Sequence, residues 1–227
     1  TILEYLDKYG DYSFREMPFT EVDSLILCQL SYLKFDGMVP DVKENAASVT
    51  LESLQKREDF DRLFADVRFE KRNKELIARL LQGQRFRNLK LNCFYNMIEK
   101  EWEIQFAAVT FILDTGVVYV AFRGTDESIV GWKEDFNMGF ADAVPSQLDA
   151  VEYLKSCAEL FPKRKIYLCG HSKGGNLAIY SSIHATERII NRIEGIYNFD
   201  GPGFSGNIDN NQTYHKILDE HLNGGLE

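Results

Sequence analysis

Several features that would mark a specialised protein are scarce or missing from this sequence. It has four cysteines in 227 residues, Cys28, Cys93, Cys157 and Cys169, widely separated, with no C-x-x-C pair and no histidine at metal-ligand spacing. No metal site is therefore expected, and the thiols are expected to be reduced, in a cytoplasmic protein. Long apolar runs are absent too. No stretch approaches the 18 or so apolar residues of a membrane span, and the opening Thr1-Ile2-Leu3-Glu4-Tyr5-Leu6-Asp7 has neither the basic start nor the apolar core of a signal peptide. Neither integral membrane association nor an export signal is expected, and because position 1 is not Met, the original N-terminus is read as removed or absent. Positive charge is in deficit: 26 Lys and Arg against 35 Asp and Glu leave a net charge of −9, which argues against a nucleic-acid groove or an anionic membrane surface as partner. There is no internal repeat and no low-complexity tract.

What remains is ordinary globular composition, 44% apolar and 27% charged, which excludes a disordered, collagen-like or coiled-coil chain. At roughly 150 residues per domain the length allows one large domain or two small ones.

The pattern divides the chain near Asn88. Before it the periods are helical. Leu25, Leu27, Leu30 and Leu33 follow the cap candidate Thr20, whose N3 residue is Asp23 rather than the Glu or Gln of a capping box. Leu51 to Gln82 reads as two amphipathic helices whose charges make a solvated face or, alternatively, a lid or partner surface. After Asn88 the signals become strand-like. Leu89, Leu91, Phe94 and Tyr95 open a strand, and Glu103 to Leu113 forms a hairpin with Val117 to Phe122 through Asp114-Thr115-Gly116. A helix from Pro145 to Phe161, a strand Lys165 to Cys169, a helix from about Lys173 to Glu187 and a strand Ile193 to Phe199 then alternate, the signature of βαβ units and a parallel sheet with helices on its faces.

Chemistry is concentrated in Gly170-His171-Ser172-Lys173-Gly174, a match to G-x-S-x-G. At average Gly and Ser usage the bare string occurs by chance in roughly one chain in ten of this length. Its context is more specific. A nucleophile elbow needs a buried strand before it and a helix after it, because the serine stands on a sharp, strained turn. Ile166 to Cys169 runs into the motif, and Gly175, Asn176, Leu177 and Ala178 open a helix beyond it whose first turn is small enough to lie close to the sheet. Ser172 is thus the candidate nucleophile, and the Lys173 amide, at the helix N-terminus, is a candidate oxyanion donor. The second donor is expected from the upstream loop Phe122-Arg123-Gly124-Thr125-Asp126, where Thr125 could offer an amide and a hydroxyl or simply cap a helix starting near Glu127. Arg123 reads as a partner for a carboxylate beneath that loop, Asp135 being one candidate.

Phe122 to Asp126, the segment Trp132 to Phe136 and the extended elbow Gly170-His171-Ser172-Lys173-Gly174-Gly175-Asn176-Leu177-Ala178 resemble an uncharacterised bacterial family of lipase-like α/β-hydrolases related to the class 3 lipases. The resemblance runs from about Leu89 to Phe204. It implies an α/β-hydrolase-like, mostly parallel sheet flanked by helices with a helical N-terminal region. It also implies a Ser-Asp-His triad and cleavage of a small-molecule or lipid ester, with Ser172 as nucleophile and Thr125 and Lys173 as oxyanion donors. Such chemistry needs neither a metal nor an organic cofactor.

The rest of the triad is harder to place among the 55 residues after Ser172. Asp200, at the end of the Ile193 to Phe199 strand, is the candidate acid, the alternative being a role within its own Gly-Pro turn; in class 3 lipases the acid comes one strand later. His171 flanks the nucleophile, His184 lies in the helix behind it, and His215 and His221 fall in a helical stretch, whereas the catalytic histidine is expected on a loop after the final strand. The chain is therefore read as a helical region, residues 1–88, packing on or capping a hydrolase core, residues 89–225, that lacks its C-terminal part, with Leu226-Glu227 a vector-derived junction. A natural short form without a triad is the competing reading, and with it a catalytically silent binding or scaffolding protein.

Overall fold

A computed structural model describes residues 1–99, 104–125, 144–204 and 211–222. Among them six strands form one sheet in sequence order: β1 Val49–Thr50, β2 Lys90–Glu99, β3 Ile104–Ile112, β4 Val118–Phe122, β5 Ile166–His171 and β6 Ile193–Phe199. The sheet is mixed, which corrects the expectation of a mostly parallel one. The β1–β2, β2–β3 and β3–β4 pairs are antiparallel, and the β4–β5 and β5–β6 pairs are parallel. The reason lies in the connections. β3 and β4 meet through a turn closed by the Gly116 amide on the Leu113 carbonyl at 2.8 Å, too short for a crossover. Parallel pairing begins only where helices intervene.

Those helices are α6 Pro145–Leu160 and α7 Lys173–Ile183, followed by the short α8 Glu187–Ile190. The expected helix to Glu187 thus stops four residues early, capped at His184, and restarts after Thr186. Beyond β6, α9 Gln212–His221 is anchored by the fully buried Ile217, and Leu222 makes an isolated parallel bridge to Ile196 of β6.

Upstream, α1 Ile2–Tyr9, α2 Glu21–Leu30, α3 Leu51–Gln55, a 3-10 turn Phe60–Phe64, α4 Glu70–Gln82 and α5 Gln84–Arg87 precede β2. The stretch expected to hold two amphipathic helices is broken because Asp66 and Phe69 adopt positive φ, 55° and 58°, which a right-handed helix cannot accommodate. Thr20 does cap α2. The Asp23 carboxylate takes the role expected of Glu or Gln, accepting the Thr20 amide at 2.8 Å. Leu27, Leu30 and Leu33 are buried, but Leu25 is 39% exposed. The buried face of α2 runs through Asp23, Ile26, Leu27 and Leu30, and Leu25 lies off that 3.6-residue stripe.

Every residue of β4 is buried, and its side chains alternate between two cores. Tyr119 and Ala121 join Ile26, Leu27, Leu30, Leu33, Phe86 and Cys169 on the face covered by the N-terminal helices. Val118, Val120 and Phe122 join Leu154, Leu168, Leu177, Ile196 and Ile217 on the face covered by α6, α7 and α9. A sheet segment buried on both sides calls for such near-continuous apolar sequence. All four cysteines are buried free thiols.

Candidate active site

The parallel pairing brings three chain segments to one edge. Phe122 at the end of β4 stands opposite Gly170, Gly170 opposite Asn198, and His171 opposite Phe199. The Arg123-Gly124-Thr125 segment, the elbow and the Asp200-Gly201-Pro202-Gly203 turn therefore emerge side by side at the C-terminal ends of the parallel strands.

Ser172 sits at the turn from β5 into α7 with φ 54° and ψ −129°. That conformation costs a non-glycine residue about 1–3 kcal/mol, so the surroundings must hold it. They do so through the backbone. The Ser172 amide donates to the Phe199 carbonyl at 2.9 Å, and the Ser172 carbonyl accepts the Gly175 amide at 2.9 Å. At Gly174 a Cβ would collide with the Phe122 carbonyl oxygen, so the elbow helix can press against the end of β4 only because no side chain is present.

Lys173 supplies the first amide of α7, where helix N–H groups point outward along the axis. Its side chain is turned inward and 1% exposed, and Nζ donates to the Gln105 carbonyl at 2.7 Å and to Gln105 Oε1 at 3.2 Å. The ammonium ties the elbow to β3. Thr125 is half-buried, directly after Gly124 at the same edge. Arg123 is buried and donates through Nη2 to Asn96 Oδ1 at 2.8 Å. Asp135, the segment Trp132 to Phe136 and the helix expected near Glu127 lie outside the described residues.

Asp200 is exposed, with φ 55°, at the tip of a turn pinned by the Gly201 amide on Asn198 Oδ1 at 2.9 Å. The histidines are dispersed. His184 caps the far end of α7, about 18 Å along the helix from Ser172, where Nδ1 donates to the Tyr180 carbonyl at 2.9 Å and the ring stacks on Tyr180. His215 is exposed on α9, and His221 lies 3.7 Å from the Glu220 carboxylate, one residue before the bridge to Ile196. Ile196 is three residues back along β6 from Phe199, about 10 Å from the edge that carries Ser172. Among the described residues, no hydrogen bond joins Ser172 Oγ or Asp200 to an imidazole. No cluster of three or more His, Cys, Asp and Glu suited to a metal ion occurs among them either.

Two contributors to the site escape sequence reading. Asn176, 1% exposed in the first turns of α7, accepts from Gln147 Nε2 of α6 at 2.8 Å and donates through Nδ2 to the Pro202 carbonyl at 3.0 Å. It locks the turn after β6 to the elbow helix. A polar amide in the small, apolar stretch Gly174 to Ala178 was the available signal, since Asn is unfavourable inside a helix. The second is Tyr32, whose hydroxyl lies 3.1 Å from His171 Nδ1. Burial is the main influence pushing this phenol well above the usual range, so it is a neutral hydroxyl.

Fold and site together define a mixed α/β protein that presents a strained serine at a strand-to-helix elbow. The Mbeg1-like family matches residues 80–223, from the end of α4 through α9, and the chain belongs to that family. Among solved structures, a fungal lipase–inhibitor complex, described as a model for interfacial activation in lipases, is similar to this chain at 17% identity, with a TM-score of 0.34. The similarity covers 60% of this chain and 56% of the lipase chain. No curated protein matches the chain. No helix among the described residues is long and apolar enough to cross a membrane.

Proposed function

We propose that this protein is a serine hydrolase of the α/β-hydrolase type that cleaves carboxylic esters, lipid esters within the class, through an acyl-enzyme on Ser172. The observation that carries this reading is the Ser172 backbone, φ 54° and ψ −129°, between a buried strand and the N-terminus of α7. In the reaction, Ser172 Oγ attacks the ester carbonyl and gives up its proton, the alcohol leaves with a proton, and water then releases the acid and restores the serine. The Lys173 amide and Thr125 are the oxyanion donors, and Asp200 is the candidate acid, on the same sheet edge. No cofactor is needed for this chemistry. Residues 1–88 roof part of the entrance, a reading supported by the contact of Tyr32 with His171 beside the nucleophile. The free thiols fit a reducing, cytoplasmic setting.

A second reading, a catalytically silent binding or scaffolding protein on the same fold, is favoured by the absence, among the described residues, of an imidazole bonded to Ser172 Oγ. Hydrolysis of a short-chain p-nitrophenyl ester by the complete native protein separates the two. The hydrolase reading expects turnover that Ser172→Ala abolishes. Turnover absent, or equal in the variant, would leave the silent reading standing.

A further inference from the structure

We propose that Tyr32 is a positioning residue for the Ser172 site, its hydroxyl clamping the elbow and the Arg123–Thr125 segment at a fixed separation. The inference rests on the reading of Ser172 as nucleophile and deepens it.

Tyr32 belongs to the turn that follows α2, where its amide donates to the Gln29 carbonyl at 3.2 Å. It comes from the helical N-terminal part of the chain, 139 residues away from the partner it meets. Its hydroxyl stands 3.1 Å from His171 Nδ1 and lies directly against the Gly124 backbone, where any Cβ would collide with it. A hydroxyl has one proton to donate and two lone pairs to accept with. In the clamp the hydroxyl donates to His171 Nδ1, an arrangement that puts the ring proton on Nε2.

The chain segments at this junction approach one another closely. A Cβ at Gly124 would strike both the Tyr32 hydroxyl and the His171 carbonyl oxygen, so the loop backbone is wedged between the clamp and the elbow. His171 is covalently next to Ser172, and Gly124 is next to Thr125. One oxygen atom thus touches the neighbour of the nucleophile and the neighbour of a proposed oxyanion donor. Such constellations need placement within about 0.5 Å, and a misplacement of about 1 Å costs on the order of 10²-fold in rate. An alternative, that Tyr32 only fills space beneath the loop, assigns the work to the ring and none to the hydroxyl.

Tyr32→Phe distinguishes these roles, because it keeps the ring and removes the oxygen. In the complete protein, with a short-chain p-nitrophenyl ester, the clamp predicts kcat about tenfold lower with KM within about twofold, since the loss falls on the transition state. The ¹⁵N shifts of the His171 imidazole should move away from the Nε2–H tautomer in the same variant. His171→Leu, which cuts the contact from the other side, should lower kcat similarly. The double variant should be no worse than either single one, and His171→Gln, which retains an acceptor, should recover part of the loss. Wild-type turnover with kcat unchanged in Tyr32→Phe, or additive losses in the double variant, would overturn the clamp while sparing the nucleophile. A wild-type protein without Ser172-dependent turnover would overturn the nucleophile reading and the clamp with it.

Discussion

The two faces of the sheet are held by different chemistry. On the N-terminal face the polar centre is an ion pair with both side chains fully buried: Arg85 Nη2 meets Asp23 Oδ2 at 2.6 Å and Nε meets Oδ1 at 2.8 Å. Every remaining lobe of the pair is used. Arg85 donates to the carbonyls of Tyr12, Met17 and Pro18 at 3.1–3.2 Å, the Tyr5 hydroxyl donates to Asp23 at 3.0 Å, and the guanidinium lies 4.2 Å from the Phe14 ring centroid. Among the described residues, connections on the elbow face include neutral amides and bare backbone: Gln147 to Asn176, Asn176 to Pro202, Asn198 to Gly201, Gly174 against Phe122. The buried Lys173 ammonium there donates to two oxygens of Gln105, and the buried Arg123 guanidinium to Asn96 Oδ1. The ion pair joins α1, the chain before α2, α2 itself and α5, all remote in sequence from Ser172. Of the amides and glycines, Gly174 and Asn176 lie two and four residues from it, and Gln147, Asn198 and Gly201 reach the elbow from α6 and the end of β6. Loss of the first should be felt as stability, and loss of the second as geometry at the serine.

The sharpest way to break this contrast is Arg85→Met. Removing one partner leaves the Asp23 carboxylate buried without its cation, a loss of about 3–5 kcal/mol in comparable buried pairs. Urea unfolding should show the midpoint falling accordingly, while the ester turnover proposed for Ser172 should persist in the protein that remains folded. A change below about 1 kcal/mol would mean that the N-terminal face does not depend on the pair.

Gly174→Ala tests the other face. Alanine is a better helix former than glycine by about 1 kcal/mol, but the new methyl meets the Phe122 carbonyl, and overpacking of this kind costs about 1–3 kcal/mol. The steric cost should win. Turnover should fall by more than the stability loss accounts for, because relief of the clash must move α7 away from β4 and take the Lys173 amide with it. A stabilised and fully active variant would show that the close approach is dispensable.

The smallest effect is expected at Leu25. Being 39% exposed and off the buried stripe of α2, it should tolerate Leu25→Gln within about 0.5 kcal/mol. A loss above 2 kcal/mol in thermal or urea unfolding would place the residue in a core and undo the account of α2.

Local features of the site were readable because they depend on neighbouring residues. The elbow follows from an apolar strand running into small residues, the hairpin from two apolar runs about Asp114-Thr115-Gly116, and the α2 cap from Thr20 with Asp23 three positions on. Long-range features were not readable. The two-residue strand β1 has no pattern of its own and exists only by pairing with Lys90 and Leu91. The other two antiparallel pairs, β2–β3 and β3–β4, join strands adjacent in sequence, and the expectation of a mostly parallel sheet gave their share too little weight beside the alternation of strands and helices after β4. Leu25 looked like its neighbours Leu27 and Leu30 until the helix phase was fixed by Asp23, whose burial depends on Arg85, 62 residues away. The Tyr32 contact with His171 has no local signature at all.

The central claim is that the strained Ser172 is a reactive nucleophile, and a fluorophosphonate probe tests it most directly. Treated with the probe, the complete native protein should gain the mass of one phosphonyl group, mapped by peptide mass spectrometry to Ser172, and Ser172→Ala should gain none. An unlabelled wild-type protein, or labelling that persists in Ser172→Ala, would contradict the account.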